Sequence, residues 1–70
     1  MKQYDTFILV EDINTVARRG MEGVILEVYD SSCIEVEFVE PNGKNIEFDG
    51  QSTFQISPAS IKIKKAYNIL

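Results

Sequence analysis

Histidine is missing from this sequence, and cysteine occurs once. Without histidine the commonest general base is absent. One cysteine, Cys33, cannot form an internal disulfide, and with no histidine partner it reads as a structural thiol rather than a nucleophile. There is no signal-peptide pattern and no long apolar run, so a soluble cytoplasmic protein with no membrane association is expected. No glycine-rich phosphate loop, internal repeat or low-complexity segment is present. Acids stop early: all eleven lie between Asp5 and Asp49. The net charge of -4 argues against a general nucleic-acid binder, which is normally basic.

What is present fits one small domain of 70 residues, with a core only just large enough to fold alone. The stretch from Gly23 to Phe48 organises it. Val24 to Tyr29 is apolar and rich in β-branched residues, and Asp30-Ser31-Ser32 is a turn cluster. Cys33 to Val39 alternates, with Ile34, Val36 and Phe38 on one face and Glu35 and Glu37 on the other, the period of a half-buried strand. Glu40-Pro41-Asn42-Gly43 is a second turn, with Pro41 presetting φ and Gly43 free to take a positive φ. Lys44 to Phe48 alternates again. A three-residue loop at Asp30 to Ser32 sets Tyr29 opposite Cys33, Val28 opposite Ile34, Leu26 opposite Val36 and Val24 opposite Phe38. The second turn sets Phe38 opposite Ile46 and Val36 opposite Phe48. Every apolar pair then shares one face, and a slip of one residue would send an apolar set into water.

The opposite face of this meander carries Glu27 against Glu35 and Glu37 against Glu47. Like charges so opposed are mildly destabilising. Two readings stand: a solvated face that keeps a small protein soluble, or an acidic patch that docks a basic partner. Strand carboxylates on an open sheet lack the wrapping loop of a calcium site, so no metal, cofactor or catalytic residue is expected.

Elsewhere, Met1 to Gln3 reads as a lead-in, and Thr6 to Val10 as a short buried strand whose start Tyr4 anchors. Glu11 to Glu22 is a long polar connection, with Asp12 or Asn14 as candidate caps of a helical turn through Ala17, too short for a stable helix. Gly20 and Gly23 bracket its return and allow a tight bend. Arg18 and Arg19 on this loop either are solvated and pair with nearby acids, or recognise a carboxylate or phosphate. Asp49 to Ser52 is a loop or bulge. Thr53 to Ile56 continues the strand with Phe54 and Ile56 inward, Ser57 to Ser60 suggests a turn or one 3-10 turn, and Ile61 to Lys64 alternates as a last strand. Lys62, Lys64 and Lys65 either complement acidic neighbours within the domain or make the surface bipolar. The barrel is expected over residues 1–66. Residues 67–70 form a partly apolar tail in which Tyr67, Ile69 and Leu70 either pack back or offer a handle for self-association or a partner.

Strand, long loop, three-strand meander, single 3-10 turn, strand is the order of a five-stranded SH3-like barrel, an all-β fold that hides most strand edges. The Tyr4-Asp5 opening, Gly20-Met21-Glu22-Gly23-Val24-Ile25, Glu27-Val28-Tyr29, Ile34-Glu35-Val36-Glu37-Phe38 and Gly43 resemble a family of small uncharacterised bacterial SH3-like domains. The likeness covers nearly the whole chain up to about Lys64. It implies a compact barrel without catalytic residues. Members are often encoded beside small predicted toxins, which implies an antitoxin-like role. The Gly20 to Val24 portion is also similar to KOW-type barrels of ribosomal and transcription factors, from which the acidic sheet departs. The resulting expectation is a non-enzymatic interaction module that neutralises a basic toxin, using Glu27, Glu35, Glu37, Glu47, Arg18, Arg19 and the tail. The alternatives are an RNA- or ribosome-associated barrel that depends on Arg18, Arg19 and the lysines, and an accessory subunit of an enzyme.

Overall fold

In a computed structural model, which describes residues 1–65, the chain forms five strands: β1 (Thr6–Leu9), β2 (Glu22–Asp30), β3 (Cys33–Val39), β4 (Phe54–Ile56) and β5 (Ile61–Lys65). A single 3-10 turn, Pro58–Ser60, precedes β5. The strands make one antiparallel sheet in the order β4-β3-β2-β1-β5. This is the all-β, SH3-like arrangement expected from the sequence, with its long connection after β1. The tail expected over 67–70 lies outside the described residues.

The turns form for local reasons. Asp30 Oδ1 accepts from both the backbone N–H and the hydroxyl of Ser32, each at 2.7 Å, and fixes the β2–β3 reversal. The Ser57 hydroxyl accepts from Ala59 N at 3.1 Å and caps the 3-10 turn, with Pro58 placed where no N–H is needed. Asn14 Oδ1 accepts from Val16 N at 2.9 Å and Ala17 N at 2.7 Å, so Asn14, not Asp12, caps the turn in the long loop. Asp12 Oδ1 instead accepts from Arg19 N at 2.8 Å.

The core gathers Phe7, Leu9, Ile25, Ile34, Val36 and Phe38, all essentially without solvent contact, and Ala17, Ile46, Phe54 and Ile56 close it. Phe38 lies at the centre. Its ring meets Phe7 edge-on at 5.8 Å between centroids and tilts against Phe54 at 5.1 Å, arrangements that aromatic rings prefer. Ile61 and Ile63 are half-buried against this cluster, as their inward alternation requires.

Two expectations about the meander are corrected. The even-numbered residues of β2 do not share the core. Val28 does face Ile34, but beyond it Glu27 pairs with Glu35 and Ile25 with Val36, leaving Leu26 as a bulge. The extra residue flips the parity, so Ile25 and Gly23 point inward while Val24 and Leu26 are only half-buried. Phe38 accordingly faces Gly23 rather than Val24, and Cys33 faces Asp30 rather than Tyr29.

Lys44 to Phe48, in turn, is not a full strand. Glu40 N donates to Lys44 O and Ile46 N to Phe38 O, so the second turn is set as expected. The pairing then ends at the Val39–Asn45 bridge. Asp49 and Gly50, both at positive φ, turn the chain back, and Phe48 and Gln51 exchange backbone hydrogen bonds at 2.9 and 3.0 Å. Asp-Gly is a preferred pair for such a turn. Phe48 is left 38% exposed, and β4 takes its place beside Val36.

Candidate functional site

The register of the sheet determines which side chains share its outward face. Directly paired residues project to the same side. One cross-strand row therefore runs Gln55, Glu35, Glu27 across β4, β3 and β2. A second runs Glu37, Val24, Thr6 across β3, β2 and β1. A third runs Val39, Glu22, Ile8, Lys62 across β3, β2, β1 and β5. The face is acidic over β3 and the C-terminal half of β2, apolar near Val24 and Ile8, and basic along β5.

Glu27 and Glu35 are directly opposed, as expected, and Glu37 lies on the same face. Neutral donors hold two of these carboxylates: the Tyr29 hydroxyl donates to Glu35 Oε1 at 2.6 Å, and Asn45 Nδ2 donates to Glu37 Oε2 at 2.9 Å. Neither contact cancels the negative charge. The bond to Glu35 raises the Tyr29 pKa above its ordinary value, because the neutral phenol is the form that donates.

Glu47 does not join this face. The pairing that would set it opposite Glu37 is not made, the Asn45 amide reaches the Glu37 carboxylate instead, and the Glu47 side chain is exposed on the arm that leads to the Asp49-Gly50 turn. The physical reason is the early end of pairing after Asn45, which removes Glu47 from the sheet.

The arginines lie apart from the acidic rows. Arg18 Nε pairs with Asp12 Oδ1 at 3.1 Å, and both side chains are more than half exposed. Together with the Arg19 N–H this holds the Asp12 carboxyl below its ordinary value, the N–H being the larger cause. Arg18 and Arg19 line a hollow of about 390 Å³ with Met21, Glu22, Val39 and Pro41. On β5, Lys64 bonds to Glu22 across β1. The lysine cluster thus has an acidic neighbour within the domain. Tyr67, Ile69 and Leu70 lie outside the described residues.

Tyr29, Asn45 and Glu22 organise the charges, and sequence reasoning assigned none of them a role. Tyr29 was read only as a strand residue, although the expected register already set it diagonal to Glu35 on the outward face. An open cleft of about 670 Å³ was not anticipated either. It runs along β4 between Gln51–Ile56 and the loop residues Ile13 and Asn14, with Glu35 as its one acidic side chain. Among the described residues no three histidine, cysteine or acidic side chains converge as metal ligands, and no helix is long and apolar enough to cross a membrane. No protein-family model matches this chain, and neither a curated protein nor a solved structure matches it.

Proposed function

We propose that this protein is a non-enzymatic interaction module that docks a basic protein partner on the outward face of β2 and β3, with Glu27, Glu35 and Glu37 as the recognising carboxylates. The observation that carries the reading is their setting: three acids on two adjacent strands, two of them oriented by neutral donors and none of the three ion-paired among the described residues. Opposed like charges cost stability in the free protein, and a cationic partner relieves that cost on binding. The family resemblance gives the partner its class, a small basic toxin encoded nearby, with this chain as its antitoxin-like inhibitor.

An RNA-binding role finds less support. Arg18 is tied to Asp12 and Lys64 to Glu22, which leaves less free positive charge to track a phosphate backbone.

The experiment is co-purification with the basic product of a neighbouring gene, followed by titration calorimetry at two salt concentrations. Binding is expected to weaken as salt rises and to fall at least about tenfold in the Glu35→Lys/Glu37→Lys double variant. Unchanged affinity in a double variant whose circular dichroism matches that of the unaltered protein rejects this face as the docking site.

A further inference from the structure

The two edges of the sheet are treated differently. The β5 edge carries Lys62, Lys64 and Lys65 within five residues, the charged guard that soluble proteins place on free strands. The β4 edge, Phe54-Gln55-Ile56, carries no charge and no proline. Among the described residues its backbone is bonded only to β3: none of the turn, loop or cap hydrogen bonds involves Phe54, Gln55 or Ile56. The 670 Å³ cleft lies along this same edge, with an apolar base from Ile13, Phe54 and Ile56 and neutral polar walls from the segment after Gly50.

From these observations we infer that the β4 edge is a strand-addition site, which takes an extended peptide segment bearing a lysine or arginine. Three features define the occupant. The unpaired backbone groups of β4 select an extended main chain, because only a strand can satisfy them in series. The apolar base takes alternate side chains of that strand. Glu35 is the acid in the cleft, and its row continues to Glu27, so the charge that fits is positive. This inference deepens the proposed docking of a basic partner and rests on it. The face supplies charge recognition, and the β4 edge supplies the main-chain contact that fixes orientation.

The test uses synthetic peptides of about seven alternating valine and threonine residues with two lysines, a second set with glutamates in place of the lysines, and a third with the lysines kept and alternate backbone amides N-methylated. Amide hydrogen exchange is followed by NMR in the full-length protein. At saturating lysine peptide, the β4 amides that point away from β3 are expected to exchange at least about tenfold more slowly, with little change on β5. The glutamate peptide is expected to bind more weakly and the N-methylated peptide not to protect β4. The inference is overturned if β4 is not protected, or if the N-methylated peptide protects it equally. It is also overturned if sedimentation shows a second copy already closing the edge, or if a chain ending at Lys65 binds more tightly than the full chain, which would give the edge to residues 66–70. Unchanged whole-partner affinity in the Glu35→Lys/Glu37→Lys variant rejects the acidic face, whereas β4 left unprotected by the lysine peptide in the unaltered protein rejects the edge, so the two failures are read separately.

Discussion

Gly23 leaves the space that Phe7 occupies: a Cβ built on Gly23 would stand 2.5 Å from Phe7 Cζ and 2.5 Å from the Glu37 carbonyl oxygen. Both are closer than real contacts allow, and one partner is backbone. Gly23 is therefore a packing glycine inside β2, not the bend residue that its spacing from Gly20 suggests. Gly23→Ala is expected to cost about 1–3 kcal/mol, the usual range for overpacking a core, measured by urea denaturation. Gly20 offers the opposite case, with open space around it and φ at +90°, so Gly20→Ala acts through backbone strain alone and is expected to cost about 1 kcal/mol.

The long loop depends on one side chain. Asn14 satisfies two backbone donors, Val16 N and Ala17 N, and so holds the fully buried Ala17 against the core. Asn14→Ala leaves both donors to find water, and it is expected to cost about 1 kcal/mol, with Asn14→Asp retaining most of the stability. Thermal denaturation of the two variants checks this. A loss no larger than that of an exposed substitution such as Thr15→Ala would mean the cap is not formed in solution.

How much of this was legible can be judged from particular residues. Ile34 to Phe38 alternates without exception, and burial over Cys33–Val39 follows the same period residue by residue. Val24-Ile25-Leu26 does not alternate. Three apolar residues in succession fit either parity, so the sequence carries no mark of the bulge at Leu26. The decision is tertiary: Phe7 needs the gap at Gly23, and that puts Ile25, not Val24, beside it. The acidic face survived this flip only in part. Glu27 lies beyond the bulge and stayed opposite Glu35, while Glu37 exchanged Ile25 for Val24 as its neighbour on β2. Glu47 was misplaced for a separate reason. Lys44 to Phe48 has strand periodicity, but the Asp49-Gly50 turn uses Phe48 and Gln51 for itself and returns the chain to pair as β4. Two competing local patterns were present, and the turn chemistry prevailed.

Phe38 and Phe48 separate these two outcomes experimentally. The alternating pattern treats them alike. The structure buries Phe38 completely between Phe7 and Phe54 and leaves Phe48 38% exposed. Phe38→Ala is expected to cost about 3–5 kcal/mol, enough to unfold most of the population of so small a domain. Phe38→Leu should fold with a smaller loss. Phe48→Ala is expected to cost about 1 kcal/mol or less. Equal losses at the two positions in urea titration would restore Lys44 to Phe48 as a full strand with Phe48 in the core.

The turns and the acidic face also make distinct pH signatures. Asp12 is held below its ordinary value of 3.8, first by the Arg19 N–H and then by Arg18. Asp30 is held below the same value, first by the Ser32 hydroxyl and then by the Ser32 N–H. A lowered carboxyl pKa adds stability that is complete above 3.8 and lost as pH falls through the lower folded-state value. Asp12→Asn and Asp30→Asn keep an accepting oxygen but cannot titrate, so urea midpoints of the double variant should fall less steeply below pH 3.8 than those of the unaltered protein. Both groups are exposed, so added salt should shrink the Asp12 effect. Tyr29 works in the opposite direction. Its pKa is raised above 10.0, first by the bond to Glu35, so its contribution is complete below pH 10 and is lost as pH rises through the raised value. Glu35→Gln should bring the Tyr29 tyrosinate absorbance titration back toward 10.0. If the titration does not move, the phenol and carboxylate are not bonded in solution, Glu35 is not held in its position on the sheet, and the docking face loses the best-oriented of its three acids.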